Sequence, residues 1–160
     1  MQTIEIVIES PRASQVKYKF DPKNKVFKLK RVLPLGMMFP YDFGFIPGTV
    51  GEDGDPLDAL VLSEFASFTG ANISCRIIGA LQAEQQEEGK KTIRNDRYFC
   101  VPVGSVTYAL IESIDQLGKK HNDQIEAFFI NYNKVDGKVF TVLGIIEPEK
   151  ALNMIKKTQK

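Results

Sequence analysis

At 160 residues, the chain is long enough for one domain, expected over 1–160, that buries roughly two thirds of the surface its unfolded form exposes. Apolar residues make up 43% of it, yet no run approaches the ~18 uninterrupted apolar residues that would suggest a membrane span. With 21 basic against 20 acidic residues the net charge is +1, too weak a field to recommend nucleic acid or an anionic membrane as partner.

The opening MQTIEIVIES lacks the basic start and apolar run of a secretory signal, so a cytoplasmic location is expected. Thr3 to Glu9 alternates Ile4, Ile6 and Ile8 against Glu5, Val7 and Glu9, the period of a strand with one buried face. VKYKF and KVFKLKRVL flank Asp21-Pro22-Lys23-Asn24, a turn that would join two strands as a hairpin. Uninterrupted alternation in the second arm puts Phe27, Leu29, Arg31 and Leu33 on one face. A guanidinium among apolar residues needs an anionic partner, because burying it unpaired is costly.

From Pro34 to Pro56 the chain is crowded with Gly, Pro and aromatic residues, a pattern expected to form an ordered functional loop rather than a long element. Strands are predicted at Leu57 to Leu62, Ile73 to Leu81, Arg97 to Val103 and Lys138 to Leu143, and their frequency suggests a small barrel. Cys75 and Cys100, the two cysteines, lie in NISCRIIGAL and RYFCVPV without metal-ligand spacing and read as reduced core residues. His121, the single histidine, precedes the first predicted helix and reads as a solvated loop residue. That helix spans Asp123 to Tyr132, with Phe128 and Phe129 as core, and a second runs from Pro148 to Lys157.

The sharpest chemical feature is Asp53-Gly54-Asp55-Pro56-Leu57-Asp58, three carboxylates within six residues. Hard oxygen donors of this kind suit Mg²⁺ or Mn²⁺, while a solvated acidic turn would carry the same residues without a metal. An EF-hand fits poorly: Glu64 stands at the twelfth position, but Asp58 takes the glycine position and Leu57 replaces an oxygen ligand. Lys17, Lys19, Lys28, Lys30 and Arg31 crowd the predicted hairpin. Folded over the acidic turn, these cations and metal-loaded carboxylates would frame a polyanion with several oxygens, which points to phosphate.

The pattern resembles the soluble family I inorganic pyrophosphatases. The resemblance is carried by IEIVIESP, Lys17-Tyr18, Arg31, FPYDFGFIPGTVGEDGDPLDALVL and FFINYN, and covers nearly the whole chain. It implies a mainly β fold with some α, a small closed OB-like β-barrel packed by two C-terminal helices, and Mg²⁺-dependent hydrolysis of pyrophosphate to two phosphates. It further implies a homo-oligomer, commonly a hexamer in bacterial members. By position, Asp53 and Asp58 correspond to metal ligands and Asp55 to the acid that orients or deprotonates the attacking water. Lys17, Arg31, Arg97 and Tyr132 correspond to phosphate-binding groups, and Glu9 to a supporting carboxylate.

Several positions depart from that pattern. A metal-associated Glu is replaced by Lys19, two site tyrosines by Phe39 and Phe43, and a Lys by Asn133. In QAEQQEEGKKTIRNDRYFCVP the two further metal-binding aspartates fall at Gln85 or Gln86 and at Asn95, with Asp96 the expected substitute ligand and Glu84 or Glu87 a second. These changes frame two alternatives to the hydrolase: a catalytically weakened phosphate- or nucleotide-binding module, and a hydrolase of another phosphoanhydride. A barrel that binds oligonucleotides is opposed by the near-neutral charge and the acidic trio.

Overall fold

The computed structural model describes residues 1–160. Nine strands, β1 (Ile4–Ser10), β2 (Val16–Asp21), β3 (Val26–Val32), β4 (Asp42–Ile46), β5 (Leu57–Val61), β6 (Asn72–Glu87), β7 (Ile93–Arg94), β8 (Arg97–Pro102) and β9 (Lys138–Ile146), are joined by two helices, α1 (Lys119–Lys134) and α2 (Pro148–Thr158). No helix is long and apolar enough to cross a membrane.

Seven strands form one sheet in the order β1-β4-β5-β8-β6-β7, with β9 pairing β6 off that path. β2 and β3 form a separate two-stranded ribbon. The fold is therefore mixed α/β, and the expectation of a small closed OB-like β-barrel is corrected. β6 is the reason. Its 16 residues change partners along their length, meeting β1 near Asn72 to Cys75, β8 near Cys75 to Leu81, and β9 and β7 beyond. A barrel strand has two neighbours throughout, whereas here the path ends at β7 and β9 branches from it. Register shifts between Ile77 and Gly79 and between Gln82 and Ala83 bend β6 to make this possible. Gly79, at φ 137°, sits at the first shift, where a Cβ would come within 2.7 Å of the Ile146 carbonyl.

Local correspondence with the sequence is close for the alternating segments and fails in the loop region. β4 lies inside the stretch from Pro34 to Pro56, and all five of its residues are buried. Its Gly44 opposes Ile8 so tightly that a Cβ would stand 2.0 Å from the Val7 carbonyl oxygen. The hairpin is also altered. Lys17 pairs with Arg31 but Tyr18 pairs with Leu29, so one extra residue bulges out of β3. Arg31 therefore lies on the face of Lys17, opposite that of Leu29, and the expected shared face is corrected.

Two apolar clusters flank the sheet. One joins Phe39, Phe43, Leu60, Phe99, Phe129, Tyr132 and Phe140 and seats α1, and the other joins Ile6, Ile8, Val61, Cys75, Cys100 and Ile155 and seats α2. Both cysteines are free and buried. Phe129 is fully buried and Phe128 packs at the cluster's edge, in keeping with a core role.

Replacing Gly44 by Ala should push β1 and β4 apart, since the clash is with backbone that has no rotamer to yield. A loss of about 3 kcal/mol is expected, read as a lower urea midpoint with an unchanged m-value.

Candidate active site

A cavity of about 440 Å³ opens between the β2–β3 ribbon, the loop from Pro47 to Pro56 and the C-terminal end of α1. Its walls carry five carboxylates, Glu9, Asp53, Asp55, Asp58 and Asp136, and five cations, Lys17, Lys19, Lys30, Arg97 and Lys138. The acidic turn is held by its own backbone: Gly51 N donates to the Asp55 carbonyl at 2.7 Å and Gly54 N to the Gly51 carbonyl at 3.1 Å. Asp53 Oδ1 accepts the Asp55 amide at 3.0 Å. Thr49 Oγ1 accepts the Leu57 amide at 3.0 Å, which fixes where the turn becomes β5.

Partial burial raises the pKa of the Asp53 carboxyl; the Asp55 amide opposes that shift, while repulsion from Asp58 and Asp55 adds to it. Asp55 meets Lys19 Nζ at 2.6 Å, and Asp58 on β5 meets Arg97 Nη1 on the adjacent β8 at 2.8 Å. Burial lowers the pKa of the Lys19 ammonium, but the hydrogen bond and charge of Asp55 outweigh it, so the net shift is upward. Lys30 shifts the other way, through burial and through repulsion by Lys17, Lys19 and Lys138.

Glu9 is buried at the cavity floor, where its Oε2 accepts the Phe20 amide at 2.7 Å. Burial pushes its carboxyl up to about 7. Tyr132 is 3% exposed and lines the cavity, and its hydroxyl has no hydrogen-bond partner. Lys17 Nζ stands 5.3 Å from the centre of the Tyr132 ring and 5.6 Å from that of Phe43.

Most of the sequence-derived site residues meet here: Glu9, Lys17, Asp53, Asp55, Asp58, Arg97 and Tyr132 all line the one cavity. Two do not. Arg31 lies behind Tyr132, its guanidinium 4.3 Å from the ring centre and donating to the Tyr132 carbonyl at 3.1 Å. Asp96, the expected substitute ligand, points instead into a neighbouring cavity of about 290 Å³. There it pairs with Arg94 Nη2 at 2.8 Å and accepts the Ala83 amide at 3.0 Å. Glu84 and Glu87 are absent from the site, and Glu87 pairs with Lys90. The amides Gln85 and Asn95 do line it, bonded to each other at 2.9 Å. His121 belongs to α1 rather than to a loop, and its Nε2 meets Tyr41 Oη at 2.8 Å.

Lys138 and Asp136 were not foreseen as site residues. Asp136 comes from the turn between α1 and β9 and Lys138 is the first residue of β9, and no motif marks them. Only the packing of β9 against β6 brings them beside the hairpin lysines.

No three His, Cys, Asp or Glu side chains converge into a ready metal cage. The donor chemistry still suits a hard divalent ion at Asp53 and Asp58, where carboxylate repulsion is left for a cation to relieve.

Comparison with known proteins gives one consistent result. The family described as inorganic pyrophosphatase matches residues 6–160. The inorganic pyrophosphatase of Synechocystis is 36% identical over 157 residues, covering 98% of this chain and 90% of that one. The solved inorganic pyrophosphatase structure from Thermus thermophilus superposes with a TM-score of 0.89 at 33% identity, over 98% of this chain and 88% of that one. The Helicobacter pylori structure gives the same TM-score at 31% identity, over 98% and 91%.

Glu9 should make metal-free stability fall with rising pH. Its folded pKa of about 7 lies above the ordinary 4.5, so its contribution is fully present below the latter and is lost as pH rises through the former. Up to about 3 kcal/mol is at stake, at roughly 1.4 kcal/mol per pKa unit. Calorimetry in EDTA should find that Glu9→Gln removes this part of the decline while keeping an acceptor for Phe20.

Proposed function

This chain belongs to the inorganic pyrophosphatase family, and on that footing we propose that Mg²⁺, held by Asp53 and Asp58, serves its metal-dependent hydrolysis of pyrophosphate in the cavity beside the acidic turn. Mn²⁺ would suit the same donors. The observation that carries the reading is the Tyr132 hydroxyl, buried, lining the cavity and left without a partner inside the protein. A buried donor in that condition costs free energy until a ligand oxygen accepts its proton.

When bound, the divalent ion lowers the pKa of a water and offsets phosphate charge. Asp55 orients the attacking water and takes a proton from it as the water oxygen attacks one phosphorus. The bridging P–O bond breaks, and the proton passes to the departing phosphate. Lys17 and Arg97 offset charge that builds on the phosphate oxygens, and Tyr132 donates a hydrogen bond to it. Arg31 acts one step back, bracing the Tyr132 ring and carbonyl from behind. Glu9 supports the hairpin through the Phe20 amide, and Asp96 anchors Arg94 beside the site.

The same reading takes the chain as a single domain over 1–160, working in the cytoplasm as a homo-oligomer, hexameric by family resemblance.

Incubating purified protein with pyrophosphate and rising Mg²⁺, beside Asp55→Asn, tests the assignment. Phosphate release should fall by at least about a hundredfold in the variant. Tight pyrophosphate binding without release in the unaltered protein would instead make this a binding module. Tyr132→Phe should leave the unfolding midpoint unchanged or slightly higher, because the hydroxyl has no partner to lose. Its kcat/KM should drop about tenfold, matching roughly 1.4 kcal/mol for one hydrogen bond.

A further inference from the structure

Three carboxylates around the site are already neutralised by cations of the chain itself: Asp55 by Lys19, Asp58 by Arg97 and Asp96 by Arg94. The two arginine pairs are structural. The Arg97 side chain is 3% exposed, and its Nη1 also donates to the Asn95 carbonyl at 3.1 Å and to Asn95 Oδ1 at 2.6 Å. Arg94 grips both oxygens of Asp96. Withdrawing either guanidinium would leave a buried charge unpaired.

Lys19 differs on each count. Its ammonium bonds one atom, Asp55 Oδ2, and the two side chains are 37% and 49% exposed. It stands on a flexible four-carbon stem that can swing to water without leaving a buried charge behind. Asp55 keeps its place without it, since the turn is fixed through backbone bonds to Gly51 and Asp53.

An ammonium at 2.6 Å fills the space on Oδ2 that an inner-sphere divalent ion would need, and its charge repels such an ion nearby. At Asp58 one oxygen is likewise taken, by Arg97 Nη1 at 2.8 Å, but its other oxygen and the carboxylate of Asp53, which has no side-chain cation, remain open to a divalent ion.

We propose that Lys19 is a built-in monovalent counter-ion for Asp55, occupying a position that would otherwise take a divalent cation, so that the resting site binds one fewer ion than its carboxylates could hold. The inference rests on the reading that a divalent ion occupies this cavity at all. Lys19 thereby leaves Asp55 free of metal coordination and able to act on water.

The test uses Mn²⁺ as probe and counts bound ions by the loss of the free-ion electron paramagnetic resonance signal, on the full chain without pyrophosphate. Lys19→Gln should bind one more Mn²⁺ per chain than the unaltered protein, and Lys19→Arg the same number as it. Asp55→Asn in the unaltered background should not change the count, but should abolish the gain when combined with Lys19→Gln. Unfolding midpoints of all variants establish that each is folded.

An equal count and equal affinity in Lys19→Gln and the unaltered protein would overturn the proposal, as would a lower count in Asp55→Asn alone. Failure of every form to bind Mn²⁺ would instead overturn the divalent-ion reading beneath it, so the two failures are distinguishable.

Discussion

The ion pair between Arg97 and Asp58 joins the core of this protein to its chemistry. The two residues face each other across the parallel pairing of β5 and β8, 2.8 Å apart. The guanidinium is walled by the rings of Phe43, Phe129 and Phe140 at 5.9, 5.2 and 5.2 Å. An arginine so enclosed is stable only beside its carboxylate, and losing one partner of such a pair typically costs about 3–5 kcal/mol. The pairing of β5 with β8 therefore also aims Asp58, and with it the end of the acidic turn, into the cavity. Packing of α1 on the same rings sets Tyr132 opposite.

The cavity has a balanced charge of its own, with carboxylates on the turn and β1 facing lysines on the ribbon and β9. That balance explains why a chain of near-neutral net charge can still select a polyanion with its counter-ions: the field is local and two-sided rather than global. It also separates the carboxylates by function. Asp58 and Asp96 are bound to arginines in structural pairs, Asp55 to a single partly exposed ammonium, and Asp53 to no side-chain cation. The aromatic substitutions at Phe39 and Phe43 belong to the core side of this boundary, where both are buried and stack on each other at 5.4 Å.

Where sequence and structure part, the cause is backbone geometry that periodicity does not record. One bulged residue in β3 turns Arg31 away from Leu29 and sets it beside Lys17. In the sequence β6 reads as a strand over Ile73 to Leu81 alone, because a bend at Gln82 and Ala83 and the polar residues beyond interrupt the pattern, yet hydrogen bonding makes it one 16-residue element with four partners. β4 hides in a Gly- and Pro-rich stretch because its residues are buried on both faces and do not alternate. Asp96 illustrates the same limit at the site: neighbouring residues on an extended segment point to opposite sides, so Asn95 enters the cavity and Asp96 leaves it.

The sequence by itself determined the chemistry on offer: three clustered hard-oxygen donors, a cationic hairpin, a helical tyrosine, and an order of motifs specific enough to identify the family. Those are properties of residue type and spacing, which survive without coordinates. Tertiary structure alone decided which carboxylates are free and which are already paired, that Lys19 rests on Asp55, and that Lys138 and Asp136 join the site. Such pairings depend on register, bulges and the approach of segments far apart in the chain, and an ion pair a few ångströms long is set by those distances rather than by the identity of either partner.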